Sequence, residues 1–174
     1  MPEFSLEKAG DSNPKRQGAT ELKLEEFLPY RLNVLATLVS QALSRLYSER
    51  YNIGVPEWRV LATLGQFSVM TGKAIGAHSK MHKTKVSRAV AQLSRRKLVS
   101  RRTNSDDLRE EFLSLTPAGR EIYDEIVPVA RDFTRELMSS VDAADRPALD
   151  RALNSLTECS MRLAGKLAIG VDRR

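Results

Sequence analysis

The sequence has few of the features that mark secreted, membrane-spanning or linker-like proteins. The single cysteine among 174 residues cannot form an internal disulfide. The sequence contains no run of 18 apolar residues, which a membrane-spanning helix would need. The first 20 residues contain no apolar run of the secretory type, so we expect a cytoplasmic protein. With 9 glycines and 7 prolines, the chain is not of the collagen or linker class.

Residues with catalytic or metal-binding chemistry are also scarce. The two histidines, His78 and His82, lie in a stretch without an acidic residue that could orient either one as a general base. Two histidines and the distant Cys159 do not form a metal-ligand set, and no glycine-rich phosphate loop is present. The sequence therefore predicts no enzyme, cofactor or metal. Cys159 lies on a leucine-rich helical face, which favours a structural thiol.

Acidic residues are absent from one long stretch, and the positive charge is concentrated there. Between Glu57 and Asp106 there are 11 lysines and arginines and no aspartate or glutamate. The chain has 28 cations in all, so 17 remain elsewhere against all 22 acids. This distribution favours a polyanionic partner, either nucleic acid or an anionic membrane surface. A solvated basic face without a partner is the alternative.

Apolar periodicity predicts a mainly α-helical chain with one small β-hairpin. Residues 1–21 are polar and predict a flexible arm, and residues 22–174 predict one folded unit. The first helix has an apolar stripe that we expect to be largely buried. The predicted helices begin near Pro29, Pro56, Thr71, His82, Pro117 and Asp142, and the predicted strands are 98–102 and 112–115. Thr116 is predicted to cap the helix that begins at Pro117, and Pro128 lies within that helix and should kink it.

The helix that begins near His82 has two chemically different sides. At 100° per residue, Val86, Ala89, Val90 and Leu93 share its apolar side. The other side is polar or small and carries Lys83, Thr84, Lys85, Ser87, Arg88, Ala91, Gln92 and Arg95. Such a helix fits the major groove of DNA, where an arginine such as Arg88 can bond a guanine edge. Either His82 or Ser79 is expected to cap it.

The predicted hairpin follows this helix directly and forms a wing. A short helix, the three-residue turn 79–81, a second helix and a wing together predict a winged helix-turn-helix. Asp107 is interpreted as orienting Arg109 or the loop amides, with a solvated carboxylate as the alternative. The wing residues predicted to reach an adjacent minor groove are Arg101, Arg102, Asn104, Ser105 and Arg109.

These residues resemble the MarR (multiple antibiotic resistance regulator) family of winged-helix transcription factors. The resemblance runs from about Leu28 to Leu163 and is most specific in the segments 83–90, 107–109 and 113–119. It implies a DNA-binding region over 56–116, flanked by dimerisation helices over 28–51 and 117–168. It also implies that Thr84, Lys85, Ser87 and Arg88 lie in the major groove and Arg109 in the minor groove. The N-terminal arm is longer than is usual in the family.

The terminal helices carry apolar stripes that one winged helix cannot cover, which predicts a homodimer. Packing of these helices on their own domain is the alternative. A two-fold dimer places its reading helices about 34 Å apart and so predicts an inverted-repeat operator in double-stranded DNA.

The resemblance further implies a repressor released by a small aromatic acid or its coenzyme A thioester. A cation beside aromatic surface suits a planar carboxylate, and the candidate effector residues are Tyr30, Arg31, Leu35, Leu38 and Trp58. Arg31 as a surface cation and Trp58 as a core residue are the alternatives. A DNA-binding regulator without small-molecule control, or a helical interaction or membrane-surface module, also remains open.

Overall fold

The structure is a computed structural model that describes residues 22–103 and 110–171, with side chains to residue 166 at the C-terminal end. The described residues contain six helices and three strands, joined by turns and loops. In chain order they are α1 Leu28–Tyr51, α2 Val55–Phe67, β1 Val69–Thr71, α3 Gly72–Ser79, α4 Lys83–Arg95, β2 Val99–Thr103, β3 Glu111–Leu115, α5 Pro117–Ser139 and α6 Arg146–Val171. The predicted fold class, mainly helical with a small hairpin, is confirmed.

Two compact units divide the chain, residues 1–39 and residues 40–174. The boundary lies within α1. Among the described residues 22–39 of the first unit, no side chain is buried. A segment this short has no core of its own, which distinguishes it from the second unit.

The hydrophobic core of the second unit is built around α2, α3, α4 and the sheet. Leu61, Leu64, Ile75 and Leu93 are fully buried in it. Each comes from the apolar side of its helix, so packing these sides together removes them from water. The helices therefore hold one another in fixed positions, and the polar side of α4 remains outside.

The terminal helices contrast with this core. The expectation that α1 is largely buried is wrong for the single chain, because Tyr47 is its only buried residue. Leu35 is 56% exposed and Leu46 is 45% exposed. In α6, none of residues 146–166 is buried. Much of the predicted apolar surface thus lacks a partner among the residues that the structure describes.

The sheet has three antiparallel strands in the order β1-β3-β2. Strands β2 and β3 form the predicted hairpin, and Arg101 lies opposite Leu113 in their register. Strand β1 was not predicted, because its three residues are too few to show an alternating pattern. It pairs with β3 and so joins the hairpin to the start of α3.

The start of α5 closes the winged-helix region. Thr116 caps this helix as predicted, since its Oγ1 accepts a hydrogen bond from the Gly119 N–H at 3.1 Å. The same hydroxyl donates to the Lys97 carbonyl at 2.7 Å. A Cβ at Gly119 would overlap the Leu98 carbonyl, so glycine permits this close approach. Pro128 lies inside α5, as the sequence indicated.

Candidate nucleic-acid interface

The start of α4 is fixed by local hydrogen bonds. Lys80 ends α3 in the left-handed conformation at φ 54°, and the Met81 N–H donates to the Gly76 carbonyl at 3.1 Å. Nδ1 of His82 then accepts from the Thr84 N–H at 3.3 Å, which makes His82 the N-cap. Ser79, the other predicted cap, instead donates its hydroxyl to the Ile75 carbonyl. Lys80, Met81 and His82 therefore form the turn, one residue later than predicted.

The two predicted sides of α4 are both found in the structure. Val86, Ala89, Val90 and Leu93 are all buried in the core. We call the exposed polar residues of α4 the reading face: Lys83, Thr84, Lys85, Ser87, Arg88, Gln92 and Arg95. This surface contains four cations and no acid, so it is electropositive along its whole length.

The predicted DNA-contacting residue Arg101 is held by neighbouring side chains. Its Nε donates to Ser94 Oγ of α4 at 3.1 Å, and its guanidinium pairs with Glu111 of β3 at 3.3 Å. Arg102, next along β2, lies over the Phe112 ring at 5.6 Å. Arg101 thus links the base of the hairpin to α4. The contact with Ser94 was not predictable from the pattern of either element, because the two residues lie on a strand and a helix.

The remaining wing predictions lie outside the described residues. They are Asn104, Ser105, Asp107 and Arg109. Their roles stay predictions.

An open groove of about 940 Å³ lies between α3, α4 and the hairpin. Lys73, Lys83 and Arg101 contribute cations to its lining, and Glu110 and Glu111 contribute carboxylates. The groove adjoins the reading face through Lys83 and Ser87. Its mixed charge distinguishes it from the uniformly basic face of α4.

One cation of the basic stretch turns inward. Arg96, directly after α4, donates from its guanidinium to the Tyr51 carbonyl at 2.6 Å and the Asn52 carbonyl at 2.7 Å. Sequence reasoning counted Arg96 with the electrostatic footprint and assigned it no contact. The sequence did contain an indication of this inward contact. Arg95, Arg96 and Lys97 at the end of the helix span about 200° around its axis, so they cannot all face one partner.

The candidate effector residues fall in both units. In the first unit, Tyr30, Arg31, Leu35 and Leu38 are exposed. In the second, Trp58 is partly buried between two tyrosine rings. The Tyr47 ring centroid is 5.5 Å from that of Trp58, and the Tyr123 centroid is 6.2 Å from it.

Burial also changes the acidity of one of these tyrosines. Removal from water raises the pKa of Tyr47 to about 12, because the low-dielectric core disfavours phenolate. The nearby Arg59 charge opposes this effect in part. Tyr47 therefore stays neutral and packs as an aromatic core residue.

Comparison with known proteins identifies the winged-helix region. Residues 53–110 match the model of the MarR family. The match covers α2, β1, α3, α4 and β2, so this part of the chain is similar to the MarR family. No curated protein matches the chain.

Solved MarR-family structures share the fold over most of the chain. A MarR-family transcriptional regulator from Silicibacter pomeroyi is 26% identical, with a TM-score of 0.66, over 79% of this chain and 94% of that one. A MarR/EmrR family regulator from Acinetobacter sp. ADP1 is 24% identical, with a TM-score of 0.74, over 81% and 99%. BpsR from Bordetella bronchiseptica is 20% identical, with a TM-score of 0.63, over 73% and 98%. These relatives support a transcriptional-regulator fold.

Among the described residues, neither a membrane-spanning helix nor a metal-binding group of side chains is present. No helix within 22–103 and 110–171 is both long and apolar enough to cross a membrane. In the same part of the chain, no three histidine, cysteine, aspartate or glutamate side chains are grouped to hold a metal ion.

Proposed function

We propose that this protein is a dimeric transcriptional regulator that binds specific sequences of double-stranded DNA. The observation that carries the proposal is the reading face, an acid-free polar surface on a helix whose other side is locked into the core. The major groove is about 12 Å wide and admits one α-helix. A rigid helix with this surface can enter the groove without unfolding or rearranging.

Each residue of the reading face has a proposed role that follows from its chemistry. Arg88 presents two parallel donors to a guanine edge, and Thr84 and Gln92 bond bases or phosphates. Lys85 and Arg95 carry charge at the two ends of the helix and suit phosphate oxygens. Lys83 and Ser87 at the margin complete the phosphate contacts.

The hairpin is proposed to contact the adjacent minor groove. Its base is fixed to α4 through Arg101, so the wing and the reading helix approach DNA as one body. Arg109, Asn104 and Ser105 are the proposed contacts at the tip, and Asp107 is proposed to orient Arg109 or the loop amides.

A homodimer is proposed from the exposed stripe of α6. Leu153 is 46% exposed, Leu156 37% and Leu163 54%, and all three lie on one side of the helix. An apolar stripe of this kind marks an interaction surface, and pairing two copies covers it. Two reading helices then lie about 34 Å apart, which fits an inverted repeat in DNA.

Repression released by a small aromatic acid or its coenzyme A thioester is the finer part of the proposal. 6-Hydroxynicotinic acid regulates DNA binding by BpsR. At 20% identity, BpsR supports only the fold of this chain, so the effector class needs a direct test. A thermal-shift screen of aromatic acids and thioesters should find one that raises the melting temperature. Calorimetry should then show weaker binding of that compound to the operator complex, and equal affinity would contradict effector control.

The DNA-binding proposal is tested by selecting duplexes from a random library and measuring salt-dependent binding by fluorescence anisotropy. The selected sites should be inverted repeats. The change Arg88→Ala should weaken operator binding by about 1–3 kcal/mol and random-duplex binding much less. Equal losses on both duplexes would show that Arg88 contacts only phosphate. A failure to enrich any duplex would overturn the proposal.

A further inference from the structure

Arg96 occupies a position that differs from those of the other cations near the reading face. It follows the last residue of α4, and its guanidinium is bonded to two backbone carbonyls at the end of α1. Both distances, 2.6 and 2.7 Å, are short for N–H···O bonds. Arg95 makes no hydrogen bond or ion pair to any of the described residues and lies exposed. Two adjacent arginines thus have different surroundings.

The two carbonyls that Arg96 binds need a donor. The last carbonyls of a helix have no partner inside the helix, and α1 ends here because Asn52 adopts the left-handed conformation at φ 49°. A guanidinium provides parallel donors in a planar fork, which can satisfy both carbonyls at once. Its positive charge also complements the negative end of the α1 dipole.

The end of α1 is itself fixed to α5. The Tyr51 hydroxyl donates to Glu125 Oε2 at 2.6 Å, and the Arg50 guanidinium pairs with the same oxygen at 3.1 Å. The hydrogen bond to this carboxylate raises the pKa of Tyr51 above its ordinary value. A continuous chain of polar contacts therefore runs from Glu125 through Tyr51 to Arg96 and the end of α4.

We propose that Arg96 is a positioning residue that sets the orientation of α4 relative to α1 and α5, and that it makes no contact with DNA. This inference rests on the proposed DNA-binding function. Although Arg96 belongs to the basic stretch, its charge is directed at the protein backbone. Its removal should change how well the reading face fits the groove without changing the number of phosphates that the protein neutralises.

The test compares Arg96→Ala with Arg95→Ala on the selected operator duplex, across a series of salt concentrations. The slope of log Kobs against log salt is negative, and Arg95→Ala should make it less steep by about 0.9, because one phosphate contact is lost. Arg96→Ala should leave the slope unchanged and reduce affinity by about three- to thirtyfold at every salt concentration. Circular dichroism at the assay temperature confirms that each variant is folded. Arg96→Lys keeps the charge but cannot span both carbonyls, so it should recover only part of the affinity.

A double-mutant cycle on the same duplex checks the route of the effect. Glu125→Ala removes the oxygens that bind Tyr51 and Arg50 and so frees the end of α1 from α5; Arg96→Ala should therefore cost less affinity in that background. The inference would be overturned if Arg96→Ala made the salt slope less steep by about 0.9, or if it left affinity unchanged in a folded protein. It would also be overturned by full recovery of affinity in Arg96→Lys, or by additive losses in the double mutant. Failure of the unmodified protein to select any duplex would instead overturn the proposed function.

Discussion

The winged-helix region and the last helix obtain their stability in different ways. The described part of residues 55–115 supplies most of one core, in which Leu61, Leu64 and Leu93 are completely buried in the single chain. Helix α6 is longer than any helix of that region, yet none of its residues 146–166 is buried. The apolar side chains of the first region are thus covered within one chain. The second carries apolar surface that needs another surface to cover it.

The two regions also differ in charge. All 11 cations of the acid-free stretch belong to the winged-helix region, whereas α6 has four cations interspersed with two acids. A polyanion is therefore attracted more strongly to the winged-helix region, while the apolar stripe of α6 is suited to a second protein chain.

The largest effect is expected from Leu93→Ala. Removing a fully buried leucine leaves a cavity and should lower the free energy of unfolding by about 2–5 kcal/mol, as measured by urea denaturation. Leu153→Ala in α6 is the matched control, because Leu153 is 46% exposed in the single chain. Its effect should depend on protein concentration, as for a dimer. Equal, concentration-independent losses would remove the distinction between the regions.

A charge on the apolar stripe of α6 should dissociate the dimer. Leu156→Glu places a carboxylate in the proposed interface, and we expect dimer affinity to fall by about 2 kcal/mol, or about thirtyfold. Asn154→Glu adds the same charge on the opposite side of the helix and should leave the dimer intact. Sedimentation velocity over a concentration series distinguishes the two results. Dissociation by both variants, or by neither, would contradict the proposed interface.

Two glycines should give smaller effects of opposite sign, one where α5 meets the winged-helix region and one in α6. An alanine at Gly119 would overlap the Leu98 carbonyl, so Gly119→Ala should destabilise the protein by about 1–3 kcal/mol. At Gly165 nothing lies within 4 Å of the added Cβ, and Gly165→Ala should stabilise α6 by about 0.5–1 kcal/mol. Thermal unfolding measures both. A gain at Gly119 would mean that the close approach of α5 to Leu98 is not required.

The sequence predicted most of the winged helix because its signals are local. The alternation of buried and exposed residues in α4 follows from helical geometry alone, and all four predicted inward residues are buried. The Thr116 cap and the hairpin were likewise visible in short segments. Strand β1 was missed because three residues carry too little pattern.

Contacts between distant segments were not predictable in the same way. Arg96 binds carbonyls 44 and 45 residues earlier in the chain, and Arg101 binds Ser94 and Glu111 on two other elements. Nothing in the periodicity of a single element specifies such pairs. The sequence therefore identified the cations of the candidate site but could not say which of them the protein uses itself.

The most direct test of the central claim compares one cation from each region on a random-sequence duplex. Lys85 lies on the reading face and Lys166 lies on α6, and both are exposed. If α4 binds DNA, Lys85→Ala makes the negative slope of log Kobs against log salt less steep by about 0.9, and Lys166→Ala leaves the slope unchanged. An unchanged slope for Lys85→Ala, or an equal fall for both variants, would contradict the assignment of α4 as the DNA-binding helix.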